Sequence, residues 1–206
     1  RFLQVTSSFN DRGRHNMDRQ EEQGVIARVR QGERSAFAAL VDAYAKPIFN
    51  LAFRMTGHPS DAEDLAQETF LRAFEQLPRF DPERSFYTWI YTISLNLIRN
   101  HLKKTSRRRR ADSLHGETAT GAVDSNGRPA VPHGVEDGGE LNKEREEGLE
   151  RCLRELSPDL RELLVLRFYQ GFSFDVIAEI TGRSQSAVKM RVYRGLEKLR
   201  KRMEGM

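Results

Sequence analysis

The chain has 206 residues, 38% of them hydrophobic and 31% charged, and this composition suits one domain or two small helical domains. Its single cysteine, Cys152, excludes an intrachain disulfide and a cysteine-based zinc site, and its five histidines show no metal-ligand spacing, so we expect no metal and no cofactor in a reducing cytoplasm. No apolar run approaches the ~20 residues of a membrane span and no signal-peptide core is present, so we expect no membrane insertion.

Two helices are predicted near the start of the chain, after a tail over residues 1–19. The first suits residues 20–32. Residues 34–56 carry apolar side chains at intervals of three and four, which predicts a strongly amphipathic helix, and Pro47 is expected to interrupt or kink it. The Gly-His-Pro sequence over 57–59 then stops this helix.

A third predicted helix combines an apolar side with an acidic side. Ser60 is expected to cap it, Glu63 to complete a capping box, and the helix runs to about Leu77. Its acidic side consists of Asp61, Asp64, Glu68 and Glu75. Charge alone leaves two interpretations open, a solvated surface or a docking face for a basic partner, because acidic residues also favour helix N-termini.

The fourth predicted helix runs from about Arg84 to beyond Leu102 and is rich in aromatic residues. Its apolar stripe consists of Phe86, Trp89, Ile90, Ile93 and Leu97. The residues off this stripe are Tyr87, Tyr91, Asn96 and Asn100. Exposed aromatic rings stack on unpaired bases while Lys and Arg hold phosphates, so residues 77–104 form a candidate single-strand site. Packing is the alternative for Phe86 and Trp89, whereas Tyr87 and Tyr91 are harder to explain as packing residues.

The net charge is only +4, so its distribution along the chain is more informative than its total. Residues 99–110 hold seven basic residues and no acidic one, whereas residues 111–150 hold ten acidic residues against three basic ones. Residues 183–202 hold eight basic residues against one acidic residue. Two basic blocks on either side of an acidic, glycine-containing segment predict two nucleic-acid contacts joined by a flexible linker over 107–141.

The last fifty residues predict a helix-turn-helix. Gly182 suits the left-handed conformation of a tight turn after one short helix, and Ser184 can cap the next helix. The final helix has an apolar stripe made of Val188, Val192, Leu196 and Leu199. Its other side carries Lys189, Arg191, Arg194, Lys198, Arg200, Lys201 and Arg202. Such a helix is suited to a DNA major groove.

The predicted fold class is all-α, with two small helical domains over 20–106 and 142–206 joined by the acidic linker. The sequence shows no glycine-rich phosphate loop and no nucleophile–base pair, so we expect no enzyme. The helix-turn-helix taken alone fits a free-standing helix-turn-helix regulator of transcription, which would need neither the acidic helix nor the aromatic loop.

Taken together, these segments resemble the extracytoplasmic-function (ECF) sigma factors of bacterial RNA polymerase, of the RpoE-like kind, over about 20–106 and 142–203. The resemblance rests on Asp61-Ala-Glu-Asp-Leu-Ala-Gln-Glu-Thr-Phe70, on Phe86-Tyr-Thr-Trp-Ile-Tyr91 with Asn96 following, and on Leu156-Ser-Pro-Asp-Leu-Arg161. It implies a factor that recognises minus-35 and minus-10 promoter elements and promotes DNA melting in transcription initiation, in a stress response. The recognition helix opens on Gln185-Ser-Ala-Val188 instead of the Pro-Val-Gly-Thr-like sequence of many relatives.

The resemblance also implies the partners of each surface. Core RNA polymerase would be bound through the clamp helices of its largest subunit and the flap of its second-largest subunit, and an anti-sigma factor would hold the protein inactive. The protein would be cytoplasmic and associated with the nucleoid through the polymerase. The positions that match the polymerase-binding motif are Asp61, Asp64, Leu65, Gln67, Glu68, Phe70 and Leu71.

The DNA contacts follow from the same resemblance. The minus-10 element would be bound by Arg79, Phe80, Ser85, Tyr87, Asn96, Arg99, Asn100, Lys103 and Lys104. The loop over 79–85 would capture a flipped base, with Trp89 in the aromatic cluster that supports it. The minus-35 element would be bound by Arg183, Ser186, Lys189, Met190, Arg191, Tyr193 and Arg194.

Overall fold

The computed structural model describes residues 17–114 and 140–204, and the side chains of 17–111 and 148–204. Every regular element in these ranges is helical, which confirms the predicted all-α class. Nearly all of the predicted tail, and residues 115–139 of the predicted linker, lie outside the described residues.

Within residues 17–114 the chain forms an N-terminal helical domain. Its helices are α1 (Arg19–Arg30), α2 (Phe37–Thr56), α3 (Pro59–Gln76) and α4 (Phe86–Leu114), and its 3₁₀ turns span Arg34–Ala36 and Leu77–Arg79. Since α2 packs against α1, α3 and α4, it is the central helix of this domain.

The central position of α2 explains its apolar sequence. Fully buried side chains on this helix are Leu40, Tyr44, Ile48 and Leu51. Among the described residues, only the stretch 34–56 is long and apolar enough, by length and composition, to cross a membrane. Here those side chains form the core of the domain. Pro47 lies inside a continuous helix, so the expected interruption does not occur.

The turn between α2 and α3 is short and has two distinct signals. Gly57 ends α2 in the left-handed conformation, with φ 81°, as the stop sequence predicts. The prediction that Ser60 caps α3 is wrong: the helix begins at Pro59, and no side chain of its N-cap residue, His58, bonds to the backbone. Proline fits the first helical turn because its missing N–H would have no partner there.

Within residues 140–204 the chain forms a second helical domain. Its elements are α5 (Glu140–Glu155), α6 (Pro158–Leu164), a π-helical turn (Val165–Tyr169), α7 (Phe174–Thr181) and α8 (Gln185–Glu204). Gly182 has φ 67°, and the Ala187 N–H donates to Ser184 Oγ at 3.3 Å, which confirms the predicted turn and cap. α7 and α8 are therefore the two helices of the predicted helix-turn-helix.

The end of α4 differs from the predicted domain boundary. The sequence places residues 107–114 in the linker, but they continue α4, and α5 begins at Glu140 instead of 142. The four arginines at 107–110 lie within this helix, before its last turn. Domain assignment by composition misses this because the acidic segment follows immediately.

The two domains pack against each other, with α2 and α4 facing α6, α7 and the π-helical turn. The Tyr91 hydroxyl donates to Gln170 Oε1 at 2.8 Å, and Gln170 Nε2 donates to the Pro47 carbonyl at 3.4 Å. Arg161 donates to the Met55 carbonyl at 2.8 Å. These hydrogen bonds join the domains into one compact arrangement.

Candidate nucleic-acid interface

An acidic face with an exposed leucine runs along α3. Asp64 and Gln67 are exposed, and Leu71, on the same side of the helix, is 61% exposed. A single exposed leucine is common on protein surfaces, but beside acidic residues it can add an apolar contact to a charged one. This face can therefore bind a partner that offers both positive charge and an apolar pocket.

Two further acidic residues flank this face and already have partners. The carboxylate of Asp61 lies 3.3 Å from His101 Nε2, and Arg72 donates to Glu68 at 2.6 Å. Exposed pairs of this kind contribute little to stability, so both carboxylates can exchange partners at low cost. No group of three or more His, Cys, Asp or Glu side chains in the described ranges is placed to hold a metal ion.

The structure places two of the predicted polymerase contacts in the core. Leu65 is 8% exposed and Phe70 is 9% exposed, and both pack with the buried residues of the N-terminal domain. Their side chains hold α3 against α2 and do not extend the exposed face. The motif that carries the resemblance therefore contains packing residues as well as surface residues.

The loop before α4 contains one exposed and one buried predicted contact. Arg79 is exposed and Ser85 is half-buried, whereas Phe80 is 4% exposed. The Phe80 ring lies 4.7 Å from the Trp89 ring and 5.8 Å from the Phe86 ring, between centroids. Phe80 is thus a core residue of this arrangement that fixes the loop, which corrects its predicted place at the surface.

The two tyrosines near the start of α4 pack inside the molecule. Tyr91 has no exposed surface and Tyr87 is half-buried, and both rings lie 4.8 Å from the Phe172 ring of the C-terminal domain. Burial raises the pKa of both hydroxyls. The prediction that Tyr91 is not a packing residue is therefore wrong, and Tyr87 offers only part of its ring to solvent.

The middle of α4 presents a polar and basic strip. Its exposed residues are Asn96, Asn100, Lys103 and Lys104. These positions are three, four, seven and eight residues apart, so they fall on one side of the helix. Amides that can pair with base edges followed by ammonium groups that attract phosphates suit a nucleic-acid strand.

Arg99 lies at the edge of this strip and is bound to the other domain. Its Nε and Nη2 atoms donate to the two carboxylate oxygens of Glu162 at 2.8 and 2.6 Å. The Glu162 side chain is only 4% exposed, and the hydrogen bond to it raises the pKa of Arg99. In this arrangement Arg99 holds the domains together and is not free for DNA.

The recognition helix α8 exposes most of its predicted DNA contacts. The exposed ones are Ser186, Lys189, Met190, Tyr193 and Arg194. Met190 and Tyr193 are 55% and 64% exposed, and both are large and apolar in part. Exposed apolar atoms between basic side chains suit a major groove, where thymine methyl groups lie beside phosphates.

Two other predicted contacts are bound by a carboxylate of their own domain. Asp159 on α6 accepts hydrogen bonds from Arg183 and, at 2.8 Å, from Arg191. Burial raises the pKa of Asp159, but the hydrogen bonds and positive charges of Arg183 and Arg191 outweigh it and lower this pKa below its ordinary value. These arginines therefore fix α8 to α6.

Three residues of these contacts carry no signal in the sequence, namely the acceptors of the arginines, Asp159 and Glu162, and the interdomain residue Gln170. Asp159 and Glu162 are three residues apart on α6, so one short helix binds three of the predicted DNA-contacting arginines. Their partners lie 24 to 63 residues away in sequence. Charge counting cannot identify such pairs, because only the packing of the helices decides which side chains meet.

Family models match both domains of the chain. The model for Sigma-70 region 2 matches residues 40–108, and the model for Sigma-70, region 4 matches residues 146–199. The first match spans α2 to α4 and the second spans most of the C-terminal domain.

Curated relatives match over nearly their whole length. The RNA polymerase sigma-H factor of Pseudomonas aeruginosa is 29% identical over 91% of this chain and 96% of its own. The ECF RNA polymerase sigma factor SigW of Bacillus subtilis is 31% identical over 88% of this chain and 96% of its own. The RNA polymerase sigma factor CarQ of Myxococcus xanthus is 34% identical over 85% and 93%.

Solved structures share the fold. One is CnrH in complex with the cytosolic domain of CnrY, with a TM-score of 0.62, 24% identity and coverage of 89% of this chain and 97% of that one. Another is the sigma factor RpoE of Bartonella quintana in complex with the anti-sigma factor NepR, with a TM-score of 0.64, 22% identity and coverage of 82% and 96%.

Proposed function

Because the chain belongs to the ECF group of RNA polymerase sigma factors, which act in promoter recognition and transcription initiation, we propose a division of roles among three of its surfaces. The acidic face of α3 binds core RNA polymerase, the polar strip of α4 binds the melted minus-10 element, and α8 binds the minus-35 duplex. The protein is non-catalytic and acts in the cytoplasm, with the polymerase.

Of the three proposed roles, polymerase binding by α3 is the one that a single observation supports most directly. Leu71 is 61% exposed beside the exposed acidic residue Asp64 on a helix whose other side is fully packed. An apolar anchor surrounded by charge is typical of protein interfaces. We assign its partner as the clamp helices of the largest polymerase subunit, with the flap of the second-largest subunit bound by the C-terminal domain.

The minus-10 surface comprises exposed residues on α4 and the loop before it. Asn96 and Asn100 offer amides to base edges, while Lys103, Lys104 and Arg79 attract phosphates. Arg99 joins this set only after Glu162 releases it, since Nε and Nη2 of Arg99 both donate to that carboxylate. Capture of unpaired bases offsets an unstacking cost of a few kcal/mol, and this promotes melting.

The minus-35 surface is the exposed side of α8. Lys189 and Arg194 make no ion pair within the described residues, although Lys189 Nζ lies 5.7 Å from the centroid of the Phe174 ring, and Met190 and Tyr193 supply apolar contacts. Arg183 and Arg191 position the helix through Asp159. These residues support the proposed binding to duplex DNA, and their order along one helix suits a single major groove.

An anti-sigma factor is the further partner that we propose. The structural neighbours CnrH and RpoE are described in complexes with the cytosolic domain of CnrY and with NepR. The match to region 2 over 40–108, together with the exposed face of α3, disfavours the alternative of a free-standing helix-turn-helix regulator. Such a regulator has no use for a polymerase-binding surface.

The test is run-off transcription with core RNA polymerase on a randomised promoter library, with variants of α3. We expect promoter-dependent transcripts that share minus-35 and minus-10 motifs, and we expect Asp64→Arg to abolish both polymerase binding and transcription. Glu63→Arg is the matched control, because Glu63 is also exposed but lies about 100° around the same helix.

Two results would contradict the proposal. Full polymerase binding by Asp64→Arg would remove the acidic face from the polymerase interface. Binding of duplex DNA without any promoter-dependent transcript would favour the free-standing regulator. Asn96→Ala tests the α4 strip separately, and normal open-complex formation by this variant on every recovered promoter would exclude its role.

A further inference from the structure

Two side chains in the first half of α1 bind the backbone of the loop before α4, although α1 precedes the stretch that the model for Sigma-70 region 2 matches. Arg19 Nη2 donates to the Glu83 carbonyl at 2.8 Å, and Gln23 Nε2 donates to the Pro82 carbonyl at 3.2 Å. The helix dipole disfavours a positive charge in the first turn of a helix. Within α1 itself Arg19 is therefore unfavourable, and the hydrogen bond that it donates goes to the loop.

The last residue of α1 binds the same stretch of backbone further upstream. Arg30 donates to the Phe80 carbonyl, and its Nε and Nη2 atoms donate to the Leu77 carbonyl at 3.2 and 3.1 Å. Successive residues of an α-helix turn by about 100°, so Arg19, Gln23 and Arg30 lie within about 40° of one another around α1. These three residues form a loop-facing row, and four backbone carbonyls accept hydrogen bonds from it.

The row holds the loop by its backbone, while the side chains of the loop stay exposed. Asp81, Glu83 and Arg84 are exposed. The loop has one turn of its own, in which the Glu83 N–H donates to Asp81 Oδ1 and the Arg84 N–H donates to the Asp81 carbonyl, both at 3.0 Å. A turn of this kind fixes only about four residues, so α1 determines the path of the remaining backbone. A loop with a fixed backbone and open side chains is suited to receive a ligand.

We infer that Arg19, Gln23 and Arg30 are positioning residues for minus-10 recognition, because they hold the loop over 79–85 in the shape that receives an unpaired base. This inference rests on the proposed binding of the melted minus-10 element by α4 and the loop before it. A loop that is ordered before binding does not lose conformational freedom when the base enters. An ordered loop also cannot reshape itself around a base that does not fit, so the row increases selectivity among bases.

The core anchors the same loop at a separate point. The Phe80 ring is 4% exposed and lies 4.7 Å from the Trp89 ring, between centroids. Removal of the Arg19 and Gln23 side chains therefore releases the backbone at 82–83 while Phe80 stays in the core. Both side chains are exposed, and substitutions at exposed positions usually change stability little. The positioning role can thus be tested in a folded protein.

The experiment compares two double variants of α1 in holoenzyme made with core RNA polymerase. Arg19→Ala/Gln23→Ala removes two members of the loop-facing row. Gln20→Ala/Arg28→Ala is the matched control, because it removes the same two residue types from exposed positions at least about 60° away from the row on the same helix. Alanine preserves the helix in both variants.

The probes are forked promoter fragments with a minus-35 duplex and a single-stranded minus-10 motif, both recovered from the promoter library. One base of the minus-10 strand is changed at a time, and the dissociation constant is measured for each probe. The discrimination ratio is the dissociation constant for the changed base divided by that for the recovered base. A purely structural contribution of α1 would weaken binding to all probes alike and leave this ratio unchanged.

We expect Arg19→Ala/Gln23→Ala to lower the discrimination ratio by about tenfold at the minus-10 position that the loop receives, which is the effect of one lost side-chain hydrogen bond. The other positions should keep the parent ratios, and the control pair should keep them at every position. Unchanged ratios for the row pair would overturn the inference, and so would an equal fall in the control pair.

A conservative variant tests whether the hydrogen bond to the loop is the cause. Arg19→Lys can still donate to the Glu83 carbonyl, so its discrimination ratio should exceed that of Arg19→Ala. Equal ratios for these two single variants would contradict positioning through that carbonyl.

The parent protein on the same probes distinguishes the two levels of the proposal. Equal affinity of the parent for all four bases at every position would mean that the proposed minus-10 role fails, and the positioning role with it. A parent that discriminates, together with unchanged ratios for the row pair, would leave the minus-10 role intact and reject positioning by α1 alone.

Discussion

The two proposed DNA surfaces differ in how far the free protein presents them. On α8, Lys189, Tyr193 and Arg194 are exposed, and no ion pair holds either basic residue within the described part of the chain. On α4, Arg99 is held by Glu162, and the ring of Tyr87 lies against Phe172 of the C-terminal domain. The minus-35 surface is therefore ready in the free protein, whereas the minus-10 surface is complete only after the domains separate.

Dimensions lead to the same conclusion. The described part of the chain, packed as one body of about 160 residues, has a radius of gyration near 15 Å and so a diameter of about 40 Å. The minus-35 and minus-10 elements are about 25 base pairs apart, or about 85 Å along B-DNA. One packed body cannot reach both elements, so the contacts between α4 and the C-terminal domain must break on the promoter.

The largest effect is expected from charge reversal on the exposed minus-35 surface of α8. We expect Lys189→Glu with Arg194→Glu to weaken binding of the free protein to minus-35 duplex by about 30-fold or more, since contacts of this kind contribute about 1–3 kcal/mol each. Fluorescence anisotropy with a labelled duplex measures this. The variant should bind a minus-10 single strand as the parent does, because the change lies on the other domain.

Lys198→Glu with Arg200→Glu is the matched control for that variant. The control substitutions reverse the same amount of charge at exposed residues. These residues lie in the second half of α8, away from the N-terminal turns that enter the groove. An equal loss of affinity in the control would show that only the overall charge of the helix matters.

A smaller effect is expected from weakening the contact between α4 and the C-terminal domain, which covers part of the minus-10 surface. Gln170 is 5% exposed and bonds to both the Tyr91 hydroxyl and the Pro47 carbonyl. Gln170→Ala leaves a buried hydroxyl unpaired, which costs about 1–3 kcal/mol. We expect a larger radius of gyration by small-angle X-ray scattering and tighter binding of a minus-10 single strand by the free variant.

A second substitution tests whether the unpaired hydroxyl is the cause. In a Tyr91→Phe background, Gln170→Ala should cost less, because no hydroxyl is left without a partner. Gln76→Ala, at an exposed position that ends α3, should change neither the scattering nor the DNA affinity. An unchanged radius of gyration for Gln170→Ala would contradict the role of this contact in closing the protein.

The helices and their ends were largely predictable because they depend on nearby residues. The apolar spacing of α2, the left-handed glycine at Gly182 and the cap at Ser184 are all local signals, and the structure confirms them. Ser60 was a wrong prediction since Pro59 competes for the same turn. The sequence also predicts too short a helix for α4, because four consecutive arginines resemble a linker in composition.

The interdomain contacts could not be predicted, because they join residues far apart in sequence. Tyr91 was placed off the apolar stripe of α4, but Phe172 and Gln170 of the other domain bury it. The same limit applies to Arg99, whose acceptor is 63 residues away. Which basic residues are free for DNA depends on tertiary packing, whereas which helix carries them depends on sequence.

The smallest expected effect is a difference in acid response between the two domains. Asp159 has a lowered pKa, so its contribution to stability is present above its unfolded pKa of about 3.9 and is lost as the pH falls through the lower folded value. Burial is the main cause that raises the pKa of Glu22, which accepts a hydrogen bond from Tyr44 on α2. The contribution of Glu22 to stability therefore depends on pH in the opposite direction to that of Asp159. It is present at low pH and is lost as the pH rises through the raised pKa.

Chemical unfolding of Asp159→Asn and Glu22→Gln between pH 3 and pH 7 measures these contributions. The stability advantage of the parent over Asp159→Asn should shrink below about pH 4, whereas its stability relative to Glu22→Gln should improve as the pH falls from neutrality. Trp89, the single tryptophan, reports the N-terminal domain by fluorescence, and circular dichroism reports both domains. Parallel pH profiles for the two variants would contradict the assignment, because opposite shifts in pKa require opposite slopes.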